Sequence, residues 1–307
     1  MQNSAMLRAP STMALLCFDA SARTGSFTRA ALELSLTQGA VSRQIIGLEA
    51  RLGVALFLRE RARLTLTPAG QAYLSDVRPA LLALERATAN LMALKGQGGV
   101  LNVSVGASLG NHWLIPRLPD FVRAHPEITL NLATRIGAAD FTASRLDASI
   151  EFGSAERVGF TAMRVMSLVL RPYASAAWAK QHRASFQQAR PAQEFIQHTT
   201  VPEAWSRWFQ AAGVVLGSSH QAPRYDLMSM ALNASAAGLG AVLLPDFMVA
   251  DALAGRKVLR LSQRAWTSER TYHLICPNSL TDHQPLRVFK RWLMEQVVQY
   301  EALLTAR

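Results

Sequence analysis

The chain has 307 residues, of which 50% are apolar, 17% charged and 7% aromatic. That length exceeds the ~100–200 residues of one ordinary domain, and the composition supports sizeable cores, which excludes a single small module and a disordered chain. A net charge of +11 makes an anion the first partner to consider, nucleic acid before membrane surface.

Residues 1–11 read as a loose polar extension, with Met6 and Met13 as alternative starts. From Thr12 to Leu52 the apolar period is helical, interrupted at Arg23–Ser26 and Ser35–Thr37, which predicts three short helices with Ser26 and Thr37 as N-caps and Gly53 as the last stop. A short turn between the second and third reads as helix-turn-helix. At 100° per residue, Val41, Ile45, Leu48 and Leu52 form the core stripe of the third helix, while Gly39, Ser42, Arg43, Ile46 and Ala50 fall opposite, with Gln38 near the rim. A small, polar outward face with one arginine suits a DNA groove edge. Next come Leu56-Phe57-Leu58, the basic Arg59-Glu60-Arg61-Ala62-Arg63 and Leu64-Thr65-Leu66-Thr67, a hairpin with a basic tip that reads as a wing. The first 67 residues hold eight arginines against four carboxylates, about twice the positive charge density of the remainder.

Thr67-Pro68 opens a long helix running to about Leu94, as N-cap and first helical position. Its apolar positions Tyr73, Val77, Ala80, Leu84, Ala87, Leu91 and Leu94 recur every 3.5 residues on average, the spacing of a coiled-coil seam and hence of a dimer. Glycines at 96–99 mark a domain boundary, after which Leu101, Val103 and Val105 alternate as a strand. A helix near Asn111–Ala124 and a strand with Ile128, Leu130 and Leu132 complete a βαβ unit. Further strands are predicted at Ala148–Phe152, Met163–Leu170, His198–Val201, Gly240–Leu244 and Tyr272–Cys276, and helices near Trp205–Ala212, Leu227–Ala237 and Pro285–Leu304. The alternation predicts an α/β class with a largely parallel sheet. Gly159–Arg164 and Trp266–Thr271 are expected to cross between two lobes, residues 100–162 with 268–307 and residues 163–267, leaving a ligand cleft between them.

The seven histidines show no HExxH or other metal spacing, a Walker loop and a GxSxG elbow are absent, and Gly238-Leu239-Gly240 lacks the third glycine of a dinucleotide fingerprint. Neither enzyme chemistry, a metal nor a cofactor is therefore expected. Cys17 and Cys276 are the only cysteines and have no paired spacing, which points to a reducing cytosol. No window reaches the ~18 apolar residues of a membrane span, and Met13–Phe18 is cut off by Asp19, too short for an export signal.

Phe18, Phe27-Thr28-Arg29-Ala30-Ala31, Leu34, Thr37-Gln38-Gly39-Ala40-Val41-Ser42-Arg43-Gln44-Ile45, Leu48-Glu49, Leu52-Gly53 and Leu56-Phe57, followed by Leu66-Thr67-Pro68-Ala69-Gly70, resemble the LysR-type transcriptional regulators. The resemblance spans essentially the whole chain. Trp113-Leu114-Ile115-Pro116-Arg117-Leu118 and Trp205-Ser206-Arg207-Trp208 are similar to the branch of that family containing the glycine-cleavage and β-lactamase activators. It implies a winged helix-turn-helix over residues 1–67, a linker and dimerisation helix over 68–95, and a two-lobed α/β effector domain over 100–307 that resembles periplasmic binding proteins. On matched positions it implies DNA contacts at Gln38, Gly39, Ser42 and Arg43, with Arg59 and Arg63 favoured in the wing. It implies effector contacts at Ser108, and at Thr134, Thr200, Asp226 and Tyr272. Where the branch usually reads Ile-Arg-Tyr-Gly, this chain has Ile150-Glu151-Phe152-Gly153, so Glu151 would favour an amino or other cationic group, or face solvent. Hydroxyls beside free helix N–H groups suit a carboxylate, so Asp226 or Glu151 with Ser108 would fit an amino-acid-like zwitterion.

The expectation is a cytoplasmic homodimeric or homotetrameric regulator whose partners are double-stranded DNA, a small effector and RNA polymerase, with no membrane. Two rivals are a small-molecule binding protein or enzyme whose N-terminal helices only dimerise it, and a nonspecific architectural DNA binder. The outward Gln38, Ser42 and Arg43 face weighs against the first, and about 200 residues of two-lobed α/β sequence weigh against the second.

Overall fold

Three hydroxyl side chains start the first three helices. Ser11, Ser26 and Thr37 accept hydrogen bonds from the N–H groups of Ala14, Arg29 and Ala40, each satisfying a donor that the helix cannot pair internally. The helices are α1 (Thr12–Thr24), α2 (Phe27–Glu33) and α3 (Gln38–Leu52), and Gly53 ends α3 in the left-handed conformation at φ 68°. The computed structural model describes residues 9–60, 63–92, 99–134, 137–141, 146–188, 194–214, 216 and 222–305. They fall into two compact units, one ending with the long helix and the other beginning at the strand after it.

In the N-terminal unit, β1 (Phe57–Glu60) and β2 (Arg63–Leu66) pair antiparallel from Phe57–Leu66 to Glu60–Arg63. Phe18, Val41, Ile45, Leu48 and Leu56 are buried together, and the Phe57 ring lies 5.5 Å from Phe18 and 5.7 Å from Phe27. Thr67 Oγ1 accepts the Gly70 N–H at 2.9 Å and opens α4 (Pro68–Met92). The first turns of α4 serve their own chain: Val77, expected in a seam, is buried in this core with Leu74 and Leu81, while Ala80 and Leu84, also expected in the seam, are exposed on the single chain. Arg78 Nε donates to Asp19 Oδ1 at 2.7 Å and ties α4 to α1. The Leu91 side chain and Leu94 lie outside the described residues.

The second unit begins with β3 (Gly99–Val105), then α5 (Ala107–Leu109), a π turn at Gly110–Leu114, a 3-10 turn at Ile115–Arg117, α6 (Leu118–Ala124) and β4 (Ile128–Thr134). The expected single helix over this stretch is broken because Pro116 and Pro119 withdraw two N–H donors from its ladder. After β5 (Ala148–Gly153) and the 15-residue β6 (Phe160–Ala174) come α7 (Ala176–Gln187), β7 (Phe195–His198), α8 (Ala204–Gln210) and β8 (Arg224–Tyr225). Then follow α9 (Met228–Ala236), β9 (Ala241–Leu244), α10 (Asp246–Ala254), β10 (Leu259–Arg260), β11 (Trp266–Pro277) and α11 (Gln284–Thr305).

The strand order is β4-β3-β5-β11-β6-β9-β7-β8, with β10 also on β6. Parallel pairs lie toward the two ends, β4 with β3, β3 with β5, β9 with β7 and β7 with β8. The middle is antiparallel, β5 with β11, β11 with β6 and β6 with β9. The sheet is therefore mixed rather than largely parallel. The two segments expected to be crossings are parts of β6 and β11, whose mutual register shifts between Thr267 and Thr271 and again between Tyr272 and His273. The predicted strand His198–Val201 lies earlier, at Phe195–His198, because the Val201 N–H turns back to the His198 carbonyl ahead of α8.

Candidate functional site

Each unit presents one candidate surface. On α3 the inward stripe Val41, Ile45 and Leu48 is buried, while Gln38, Gly39 and Arg43 are exposed and Ser42 is half-buried. Leu52, expected in the core, is 37% exposed because it is the last residue of the helix. A Cβ added at Gly39 would meet nothing within 4 Å, so that face offers an open backbone approach. Among the described residues no hydrogen bond or ion pair engages the Arg43 guanidinium. The helix is coupled to the hairpin by Glu49, whose Oε1 accepts the Leu56 N–H at 2.8 Å and the Phe57 N–H at 3.1 Å. Arg59 and Arg63 stand on the two strands; their side chains, and Arg61 entirely, lie outside the described residues.

In the second unit a cavity of about 650 Å³ collects side chains from opposite ends of the sheet. Ser108 from α5, Glu151 from β5, Tyr272 from β11, Thr200 after β7 and Asp226 before α9 all line it. Thr134 does not; it is exposed at the end of β4. Glu151 neither faces open solvent nor stands alone. Its Oε1 accepts the Ala139 N–H at 2.8 Å, and its Oε2 lies 3.5 Å from Arg157 Nη2, while Arg157 Nη1 donates to the Ala139 carbonyl at 2.9 Å. The Arg157 guanidinium sits over the Phe160 ring, 5.2 Å from its centroid.

Arg157 and His198 line the cavity and were missed by sequence reading. For Arg157 the available signal was the acidic residue at position 151, which calls for a compensating cation. His198 had none, since a lone histidine at a strand end has no spacing to mark it. Its Nδ1 accepts the Thr200 N–H at 3.2 Å. Burial holds the imidazole below its usual range, partly opposed by a hydrogen bond to the Asp226 backbone and by that residue's charge, so the neutral ring carries its proton on Nε2. Burial also pushes the Tyr272 phenol well above the ordinary range, reinforced by Tyr300, which keeps it a neutral donor. Leu227 and Met228 at the start of α9 complete the wall, and no side chain caps that helix. Free N–H groups there favour a negatively charged group. No cluster of metal-ligating side chains occurs among the described residues, and no described helix is long and apolar enough to cross a membrane.

Residues 13–71 match the bacterial regulatory helix-turn-helix proteins of the lysR family, and residues 95–298 match the LysR substrate binding domain. The chain belongs to the LysR family of transcriptional regulators. This LysR regulator is 32% identical over 292 residues to the glycine cleavage system transcriptional activator of Escherichia coli K12, covering 94% of each chain. It is 35% identical over 291 residues to the transcriptional activator AmpR of Pseudomonas aeruginosa, covering 92% of this chain and 94% of that one. The solved effector domain of that AmpR covers 66% of this chain and 96% of its own, with TM-score 0.59 and 27% identity. The helix-turn-helix and the two-ended α/β unit are thus the DNA-binding and effector-binding parts of a regulator.

Proposed function

We propose that this regulator reads a promoter site through Gln38, Gly39, Ser42 and Arg43 of α3, with Arg59 and Arg63 of the wing on flanking phosphates or the minor groove. A homodimer or homotetramer joined through the linker helix, residues 68–95, carries the DNA-reading heads of residues 1–67 and the effector domain of residues 100–307. It acts on DNA in the cytoplasm, performs no catalysis, and influences RNA polymerase at the promoter. An amino-acid-like effector occupies the cavity. Its carboxylate meets the Ser108 hydroxyl and the uncapped start of α9, and Thr200 and Tyr272 add neutral hydrogen-bonding groups. The partner for its amino group is Asp226, because both oxygens of Glu151 already serve Ala139 and Arg157.

The observation that carries this reading is the cavity, where polar groups from both ends of the sheet converge around an uncapped helix start. A ligand that touches both ends favours one arrangement of them, and only such differential binding changes what happens at DNA. The test is footprinting on the DNA upstream of the protein's own gene, with random competitor at fixed salt, repeated with each amino acid found to give heat by titration calorimetry. A dyad-related protected site whose extent changes with one amino acid, and loss of that heat in Ser108→Ala and Asp226→Asn, is expected. Equal protection of random DNA would overturn the regulatory site, and silence across the amino-acid panel would overturn the effector class.

A further inference from the structure

On α3 two neighbouring residues are left unexplained by the core. Ile45 is fully buried, but Ile46 beside it is 50% exposed and is not among the residues packed on the core of the N-terminal unit. The next residue, Gly47, is exposed in the interior of the helix, where glycine costs more stability than any residue but proline. Among the described residues nothing requires that glycine: its φ is not positive, and a Cβ added there would meet nothing within 4 Å. A single exposed isoleucine is ordinary. An exposed isoleucine followed by a glycine that its own chain does not need marks a flank shaped for something outside the chain.

The helix puts this pair on the face that carries Gly39, Ser42 and Arg43. At about 100° and ~1.5 Å per residue, Ile46 lies about 20° around the helix from Gly39 and ~10 Å further along it, between the directions of Ser42 and Arg43. Gly39, Ser42, Arg43 and Ile46 therefore stand at i, i+3, i+4 and i+7, the spacing with which a recognition helix follows the major groove. Gly47 falls on the flank, about 40° beyond Arg43. In the major groove the apolar feature that a base edge presents is the thymine C5-methyl.

We infer that Ile46 determines sequence specificity by packing on the C5-methyl of a thymine, and that Gly47 leaves room for the sugar–phosphate wall beside it. The inference rests on α3 being the DNA-reading helix. Gln38, Ser42 and Arg43 read polar base edges, whereas Ile46 reads a methyl group, which separates thymine from the other bases and from deoxyuridine. Because Ile46 is ~4.5 Å further along α3 than Arg43, its thymine lies roughly one or two base pairs from the pair that Arg43 reads.

The test measures binding of the full-length protein to its protected site with each thymine replaced in turn by deoxyuridine, which keeps the base pair and removes one methyl. Wild type is expected to lose roughly fourfold in affinity at one thymine of a half-site, the worth of taking one methyl group out of water. Ile46→Ala should bind the thymine and deoxyuridine forms equally without a lower melting temperature, because alanine is the better helix former at an exposed position. Ile46→Val, which keeps a branched apolar end, should retain part of the difference. Gly47→Ala should raise the melting temperature and yet weaken binding to both forms. The inference is overturned if no deoxyuridine substitution weakens wild type, if Ile46→Ala keeps the discrimination, or if Gly47→Ala binds as tightly as wild type. Failure to protect any site would instead overturn the reading of α3 on which the inference rests.

Discussion

Glu49 is the hinge pin between the DNA-reading helix and the wing, and removing it has a magnitude that the geometry sets. Its Oε1 accepts two backbone N–H groups, from Leu56 and Phe57, which are 1% and 4% exposed. Glu49→Ala leaves both donors without that acceptor in a nearly dry position. Hydrogen bonds to a charged group are worth ~1.5–3 kcal/mol each. Because one oxygen serves both and the strand can admit water as it opens, ~2–3 kcal/mol is the expected total. That corresponds to roughly a 30- to 150-fold increase in local opening. Hydrogen exchange of the Leu56 and Phe57 amides should accelerate by that factor, with Glu49→Gln intermediate because it keeps an acceptor but loses the charge. Affinity for the protected promoter site should fall in the same order. Unchanged exchange at these two amides in Glu49→Ala, or equal effects of the two substitutions, would refute the reasoning, because the carboxylate would then not be what holds the wing on α3.

Arg43→Ala should cost ~1–3 kcal/mol of operator affinity, concentrated at one base pair, as read by binding to a library of singly substituted sites. Arg59→Ala should instead weaken all sequences alike and lower the salt dependence of binding by about one phosphate contact. Gly70→Ala should destabilise the N-terminal unit by ~1–3 kcal/mol in urea denaturation, since a Cβ there would collide with the Leu56 carbonyl and stand 3.0 Å from Leu66 Cδ2. Native His198 holds its proton more weakly than the unfolded chain, so between its lowered pKa and 6.5 the unfolded state binds more protons and stability rises with pH. This contribution is complete above pH 6.5 and lost as pH falls to the native pKa; His198→Gln should flatten that part of the melting-temperature profile between pH 5 and 8.

Around the helix-turn-helix, what is encoded within a few residues was readable from the chain alone. The caps at Ser26 and Thr37, the stop at Gly53, the buried stripe of Val41, Ile45 and Leu48 and the hairpin with its basic strands depend on period and capping, and they stand where the pattern puts them. On α4 the period does not say which apolar residues meet a second chain and which their own: Val77, counted in the seam, is core on its own chain. Leu74 and Leu81 proved to be core on their own chain, while Leu84 is exposed. The helices α7 and α10 were missed: the first is rich in polar residues, and the second is apolar on most sides, which leaves no one-sided stripe to read. Of the cleft, Ser108, Glu151, Thr200, Asp226 and Tyr272 were legible by matched position, and the structure gathers all five around one cavity while leaving Thr134 outside it. The antiparallel centre of the sheet and His198 in the wall were decided by tertiary structure alone. The physical reason is range: helix periods and caps are satisfied by neighbours in sequence, whereas strand order and cavity walls are satisfied by residues the chain must close long loops to bring together.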